Sequence, residues 1–459
     1  MASYAAFDRG AGATSGEGVT HPCSVDSRGR LNNLPERRGV LMTSGQYEPN
    51  WRASMAAAGA IILAGVVGAQ AQSAGTAERT LSSGSQSAAP AISGPGLSRL
   101  PLVDPKVYPP GGRASTRGAR PMGKAGASNE GELGSQAIGT GAQEWPYTTA
   151  RVAVTTLGSS NSAAKTPVSS YPFRATGKLW MRFGGAWFIC TASLIKKGVL
   201  LTAAHCIHNY GQGNAGFADE VWWSPANYRE QLPPPLDAGS GGPYGWYRGQ
   251  HLRIPAPYRN GTDTCLSAAN GIVCNNDIAT VTLRPKGGVY AGTVVGTYGY
   301  GWNGFSYIAS ASFANLTVAL ITQLGYPGAI DDGFQMIRTD SQGRYITDPP
   351  AQTTTGDLLE NTQIGSAQTG GSSGGPWMVN FGTRPTITDP SEASLGTQST
   401  SNVIVGVTSW GFTAVGTNVQ GASFFGQNAE FPLANYGGHG AGNIGKLVQD
   451  TCVARPQFC

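Results

Sequence analysis

Thr369-Gly370-Gly371-Ser372-Ser373-Gly374-Gly375-Pro376 is the stretch on which the reading of this chain turns. It sets a serine pair among glycines, where a backbone can bend tightly and a second chain can approach it closely. Two upstream stretches give it meaning, Leu201-Thr202-Ala203-Ala204-His205-Cys206 and Asn276-Asp277-Ile278-Ala279. A serine hydroxyl hardly ionises at neutral pH and needs a base; an imidazole can act as that base when a carboxylate orients it. His205, Asp277 and Ser373 are those three groups. Ser372 is the rival nucleophile, and the Gly-Gly-Pro register favours Ser373. Asp263 is the alternative carboxylate, but it sits in a turn-rich loop with no strand behind it. Asp277 instead opens the apolar run Ile278-Ala279-Thr280-Val281-Thr282-Leu283.

In their order of histidine, aspartate and serine, these motifs resemble the trypsin/chymotrypsin superfamily of serine endopeptidases. The likeness covers residues 146–459. The stretch Tyr171-Pro172-Phe173-Arg174-Ala175-Thr176-Gly177-Lys178-Leu179 and the Thr-Gly-Gly run before the serine are similar to bacterial-type members, such as the glutamyl endopeptidases. The resemblance implies an all-β fold of two six-stranded antiparallel β-barrels, about 146–290 and 291–459, with a C-terminal helix. It implies an acyl-enzyme mechanism, with Ser373 as nucleophile, His205 as general base and acid, and Asp277 as orienting carboxylate. Gly371 and Ser373 would supply the N–H donors of an oxyanion hole. A Cys190–Cys206 disulfide would pin the histidine loop. The spacing from Cys190 to His205 matches the family, and so does that from Asp277 to Ser373. The 72 positions from His205 to Asp277 are more than the family has, which points to an inserted surface loop within Trp222–Cys265.

For substrate binding, Ser409-Trp410-Gly411 resembles the strand along which the family's substrates pair by their backbones. Ala367 falls at the pocket floor beside Gln368, and Gly411 and Gly421 at its walls. No acid stands at the floor, so a preference for Arg or Lys is not expected. Thr408 stands where the glutamate-specific enzymes carry a histidine. An uncharged, apolar residue before the scissile bond is the expectation. Ser372 also stands where digestive relatives place an aspartate that pairs with a new N-terminal ammonium. The oxyanion loop is therefore expected to be held without that ion pair.

The rest of the chain fits a secreted protein. Charged residues are only 12% and glycines number 67, which suits a turn-rich β protein and argues against long surface helices. Net charge is +5, and from residue 146 onward 18 basic and 16 acidic residues leave +2, too little for a nucleic-acid footprint. Arg52 precedes an apolar run, Ala60-Ile61-Ile62-Leu63-Ala64-Gly65-Val66-Val67, and then Ala69-Gln70-Ala71. That is the pattern of a signal peptide with its h-region at 55–68, cleaved before Gln72. The run is too short and glycine-rich to span a bilayer comfortably, and a signal anchor is the alternative. On this reading residues 1–71 are a leader, and Met42 or Met55 is the true start. Removing the leader discards Cys23 and leaves six cysteines, an even number suited to export. Besides Cys190–Cys206, proximity favours Cys265–Cys274 and Cys452–Cys459, each closing a short loop.

Residues 72–145 are rich in Ala, Gly, Ser and Pro and hold few large apolar side chains, so they form a disordered linker or a propeptide removed on maturation. Beyond 146, short runs rich in Val, Ile, Thr, Trp and Tyr predict strands at Lys178–Phe183, Ala186–Ile195, Val199–Thr202, Ile278–Leu283, Leu316–Thr322, Pro376–Val379 and Val403–Trp410. One helix is expected at Asn443–Asp450, with Asn443 as N-cap. No Cys-x-x-Cys or paired-histidine spacing suggests a metal site, and no cofactor is expected. The expected partners are protein or peptide substrates of a monomer, with neither nucleic acid nor stable membrane association. A trypsin-fold binding or adhesion protein without catalysis is the competing reading. His208, His251 and His439 lack motif context and are assigned no chemistry.

Overall fold

Runs of β-branched and aromatic residues cut by glycine, proline and asparagine bury themselves best by pairing edge to edge. The computed structural model describes residues 75–82, 102–103, 147–154, 167–228, 242–262, 275–302, 318–352, 358–382, 400–412, 418–428 and 430–459. The leader 1–71, the remainder of 72–145, and Asp263, Cys265 and Cys274 lie outside the described residues. Strands in chain order are β1 (Thr76–Thr80), β2 (Leu102–Val103), β3 (Tyr147–Arg151), β4 (Thr176–Phe183), β5 (Ala186–Lys196), β6 (Val199–Thr202), β7 (Glu220–Pro225) and β8 (Tyr247–Pro255). They continue with β9 (Ala279–Leu283), β10 (Gly299–Tyr300), β11 (Val318–Gly325), β12 (Ile337–Gln352), β13 (Leu358–Gly365), β14 (Pro376–Val379), β15 (Val403–Phe412) and β16 (Val419–Phe424).

These strands make two antiparallel barrels. In the first the order is β8-β7-β4-β5-β6-β9, and β9 pairs back onto β8 to close a ring of six. In the second, β15-β14-β11-β12-β13-β16 returns on itself through β15–β16 pairing, with a register shift between Thr408 and Trp410. Closure removes the open edges that would otherwise template aggregation. The first barrel fills with fully buried Leu179, Met181, Leu194, Leu201, Val221, Trp223, Leu252 and Val281. Outside β4, a second cluster gathers Trp180, Trp187, Ile189 and Trp246. The expected all-β, two-barrel fold with a C-terminal helix is the one observed.

Three features of the strands depart from expectation. The span Trp222–Cys265 is not wholly an insertion, because its ends, β7 and β8, are barrel staves. β8 was hidden because its alternation is polar on one side, with His251 and Arg253 buried between Leu252 and Ile254. Residues 76–80, within the stretch expected to be a disordered linker or propeptide, form β1 along β8 beyond its pairing with β7, from Thr76↔Pro255 to Thr80↔His251. Ala77 and Leu81 are buried there, and Glu78 ion-pairs with Arg253 at 2.6 Å and Arg455 at 2.8 Å, so this short segment has apolar and ionic anchors its composition conceals. Finally, β3, near the start of the first expected barrel segment, pairs with β12 of the second barrel.

The C-terminal helix spans Gly442–Ala454, and Asn443 lies inside it rather than capping it; Ala441 is the N-cap residue and makes no side-chain cap bond. The Asn443 amide works instead as a clasp between elements. It donates to the carbonyls of Asn275 (2.6 Å) and Phe424 (2.9 Å), and its oxygen accepts the Gly426 N–H (3.0 Å). Thr451 reaches Thr280 on β9 hydroxyl to hydroxyl at 2.7 Å, so the helix leans on the first barrel. The Cys452–Cys459 disulfide closes its end, with Cα atoms 5.7 Å apart. Asn443→Ala is expected to destabilise the protein by about 2 kcal/mol, because buried groups on three partners lose their bonds. A thermal melt beside that of a surface alanine variant checks this.

Candidate active site

His205 sits in a helical turn, Ala204–Ile207, directly after β6. The turn is tied back to β5 by the Cys190–Cys206 disulfide, with Cα atoms 6.2 Å apart. Asp277 lies just before β9 and is wholly buried. The preceding Asn275 has a left-handed backbone (φ 65°) and is held on both sides. Its side-chain oxygen accepts the Phe424 N–H at 3.2 Å, and its carbonyl accepts the Asn443 amide.

Three hydrogen bonds converge on Asp277. The His205 backbone N–H donates to Oδ1 at 2.8 Å, the His205 ring Nδ1 meets Oδ2 at 2.7 Å, and the Ser409 hydroxyl donates to Oδ2 at 2.6 Å. An ionised carboxylate only accepts, so the ring proton belongs on Nδ1. Nε2 is left with its lone pair, the tautomer that can take a proton. His205 as a whole is 5% exposed. Nearby, Asn276 donates its amide to Glu430, whose carboxyl burial pushes up while that hydrogen bond partly opposes the shift.

Ser373 lies on the tight turn before β14 and is stitched between the barrels. Its carbonyl accepts the Thr191 N–H of β5 at 2.8 Å, and the next amide, Gly374, donates to the Thr408 carbonyl of β15 at 2.8 Å. Gly374 has φ +75°, and a Cβ there would lie 2.0 Å from Thr202 Oγ1 and 2.8 Å from Ala203 N. Only glycine fits, and the close approach sets the serine turn against the residues that lead into His205. Gly371 has φ +100°, and its missing Cβ would lie 2.3 Å from the Tyr326 carbonyl. The rival Ser372 is turned into its own loop, its hydroxyl donating to the Thr369 carbonyl at 2.6 Å.

The structure thus joins His205, Asp277 and Ser409 directly and sets the Ser373 turn against Thr191 and Ala203. Residues expected to line a pocket fare unevenly. Ala367 is half-buried, but the Gln368 amide points into the second barrel, donating to Thr339 Oγ1 at 3.1 Å. Trp410 is fully buried, and its indole lies over Gly421, so the open face of that glycine is filled by tryptophan. Ser409 presents its side chain to Asp277, a contact that sequence reasoning missed. Thr408 is buried and accepts from Trp377 Nε1 at 2.9 Å and Gln323 Nε2 at 2.8 Å. His208 and His251 have structural partners, the Gly213 carbonyl at 2.7 Å and the Thr80 hydroxyl at 3.0 Å. Cys190, His205 and Cys206 offer atoms within 4.8 Å of one another, but the two sulfurs are bonded to each other, so neither is a free thiolate ligand.

No protein-family model matches the chain, and no curated protein matches it. Among solved structures it is similar to the protease Anisep of Arthrobacter nicotinovorans, at 22% identity over 56% of this chain and 93% of that one, with a TM-score of 0.39. It is similar to the thermostable serine protease AL20 from an extremophilic microorganism, at 23% identity over 55% and 92%, with a TM-score of 0.37. A Glu endopeptidase aligns at 15% identity over 67% and 97%, also with a TM-score of 0.37. The chain's two antiparallel barrels and terminal helix are the architecture that its sequence resemblance to the trypsin/chymotrypsin superfamily implies.

Proposed function

We propose that this chain is an exported serine endopeptidase. His205 Nε2 takes the Ser373 proton as the hydroxyl oxygen attacks the scissile carbonyl, and a tetrahedral oxyanion forms between the Gly371 and Ser373 N–H groups. The imidazolium then gives its proton to the leaving amine, the C–N bond breaks and an acyl-enzyme remains. Water, deprotonated by the same imidazole, releases the second product and restores the serine. The observation that carries the reading is the Asp277 carboxylate. Buried, and accepting from both the backbone and the ring of His205, it fixes the tautomer this chemistry needs.

Export is supported by the leader pattern and by the two disulfides among the described residues. Among those residues no helix is long and apolar enough to cross a membrane. Protein or peptide chains are the substrates, cleaved after uncharged, apolar residues. A fluorophosphonate probe tests the chemistry. Mass spectrometry should find one adduct, on the Ser373 peptide, absent from Ser373→Ala. Failure of the folded protein to take up the probe would favour a silent binding protein, and an adduct on Ser372 would move the nucleophile. A peptide library showing cleavage mainly after Arg, Lys or Glu would overturn the specificity.

A further inference from the structure

An oxyanion hole needs two amides aimed at one point, and three successive peptide planes, from Gly370 to Ser373, must be fixed to aim them. Across a trans peptide the N–H points opposite to the C=O, so pinning a carbonyl aims the amide. In this chain each of the three carbonyls is pinned. Gly370 O accepts the Gly328 N–H at 2.7 Å, Gly371 O accepts the Thr191 hydroxyl at 2.8 Å, and Ser372 O accepts the Gly375 N–H at 2.8 Å. Two of these donors are backbone groups. The middle one is a side chain.

Thr191 is fixed in place to do this. It is fully buried on β5, one residue beyond Cys190. Its N–H holds the Ser373 carbonyl, and its own carbonyl accepts the Thr202 hydroxyl at 2.8 Å. Its Oγ1 accepts the Tyr326 N–H at 3.1 Å, which turns the hydroxyl proton away from Tyr326 and onto Gly371 O. The groups around Ser372, by contrast, are neutral. Gln420 Nε2 lies 3.4 Å from its hydroxyl and 2.6 Å from the Gln368 carbonyl, and Gly325 packs against its Cβ. Ser372 itself carries no charge, so it cannot anchor the loop by an ion pair.

We propose that Thr191 is a positioning residue for the oxyanion hole: its hydroxyl locks the Gly371–Ser372 peptide, the link between the peptide that carries the Gly371 amide and the one that carries the Ser373 amide, and so fixes the two amides relative to each other. The proposal rests on the serine-endopeptidase reading. Without the hydroxyl, Gly371 O and the Tyr326 N–H are left buried and unpaired, and a glycine at 371 makes a peptide flip easy. The loss falls on the transition state, because the ground-state carbonyl makes little use of the hole.

The test compares Thr191→Val, Thr191→Ala and Thr191→Ser with wild type on one peptide substrate. It also uses a peptide aldehyde, which forms a hemiacetal whose oxygen occupies the hole, and the product peptide acid. Thr191→Val is expected to lower kcat by about 10–100-fold, less than the loss of a whole donor. KM should stay within about threefold, and aldehyde affinity should fall in parallel with kcat/KM while product affinity holds. Thr191→Ser, which keeps the donor, should restore kcat. If Thr191→Val does not fold, as judged by its melting curve, Thr191→Ala removes the donor without a branched replacement. A folded Val or Ala variant with wild-type kcat overturns the proposal. So does a variant whose loss is confined to KM and melting temperature, with aldehyde and product affinities falling together. Wild-type protein that cleaves no peptide and takes no probe on Ser373 would instead refute the endopeptidase reading itself.

Discussion

Ser373→Ala and His205→Ala are each expected to lower peptide-bond hydrolysis by about 10⁴–10⁶-fold, with the protein still folded. Asp277→Asn should lower it by about 10⁴-fold. The last is the most telling, because it changes one oxygen to an NH₂ group at nearly constant volume. Asp277 accepts from the His205 backbone, the His205 ring and Ser409. An asparagine has one acceptor oxygen for those three donors and brings two donors of its own. If its oxygen stays with the His205 backbone, its NH₂ faces Nδ1. The ring then places its proton on Nε2, where it can no longer take one from Ser373. Folding suffers less, because a neutral amide is cheaper to bury than a carboxylate. Rates against one peptide, with melting curves alongside, decide the matter. An Asp277→Asn variant within tenfold of wild type would mean that no triad operates here. Full activity in Ser373→Ala, with none in Ser372→Ala, would hand the nucleophile's role to the neighbour.

Which candidate residues stand out in the chain, and which do not, follows from the range over which each signal acts. The candidates Ser373, His205 and Asp277 sit in local contexts, a glycine-rich turn and the ends of apolar runs, that single them out within a few positions. The strands with uninterrupted apolar character were legible too; Val199–Thr202 and Pro376–Val379 have the bounds their pattern predicts. β8 and β16 were not. Each carries buried polar residues of its own, Arg253 and His251 in one, Gln420 and Ser423 in the other, which masks a strand's alternation. Ser409 acts on Asp277 from 132 positions away, and Thr191 on Gly371 from 180. Nothing in the sequence around either residue announces a partner at that distance. Asn443 misled for a related reason. An asparagine before a helical run is an ordinary capping signal, and only the folded chain shows its amide committed to Asn275 and Phe424.

A variant beginning at residue 83 is expected to be less stable than one beginning at Gly75 by about 3–5 kcal/mol, which lowers the melting temperature by on the order of 10 °C. The two differ by β1 and its flanks. Removing them strips the pairing along β8, uncovers the sites filled by Ala77 and Leu81, and takes away Thr76, whose hydroxyl donates to Asp450 at 2.6 Å. The largest loss is Glu78. Arg253 is 8% exposed, and without this carboxylate its charge stays buried without its ion-pair partner. Burial pushes the Glu78 carboxyl up, but the hydrogen bonds and charges of Arg455 and Arg253 together outweigh that and hold it below its ordinary value of 4.5. A carboxyl lowered on folding contributes stability that is complete above its unfolded pKa and is lost as pH falls through the folded one. The melting-temperature gap between wild type and Glu78→Gln should therefore be full near neutrality and close below about pH 4. Maturation that discarded all of residues 72–145 would give up this strand as well, so a mature protein retaining residues 75–82 is the form expected to be robust. Equal melting temperatures for the two truncated variants would show that β1 contributes nothing to the barrel it lies on, and a Glu78→Gln gap that widens in acid would show that folding does not lower the Glu78 carboxyl.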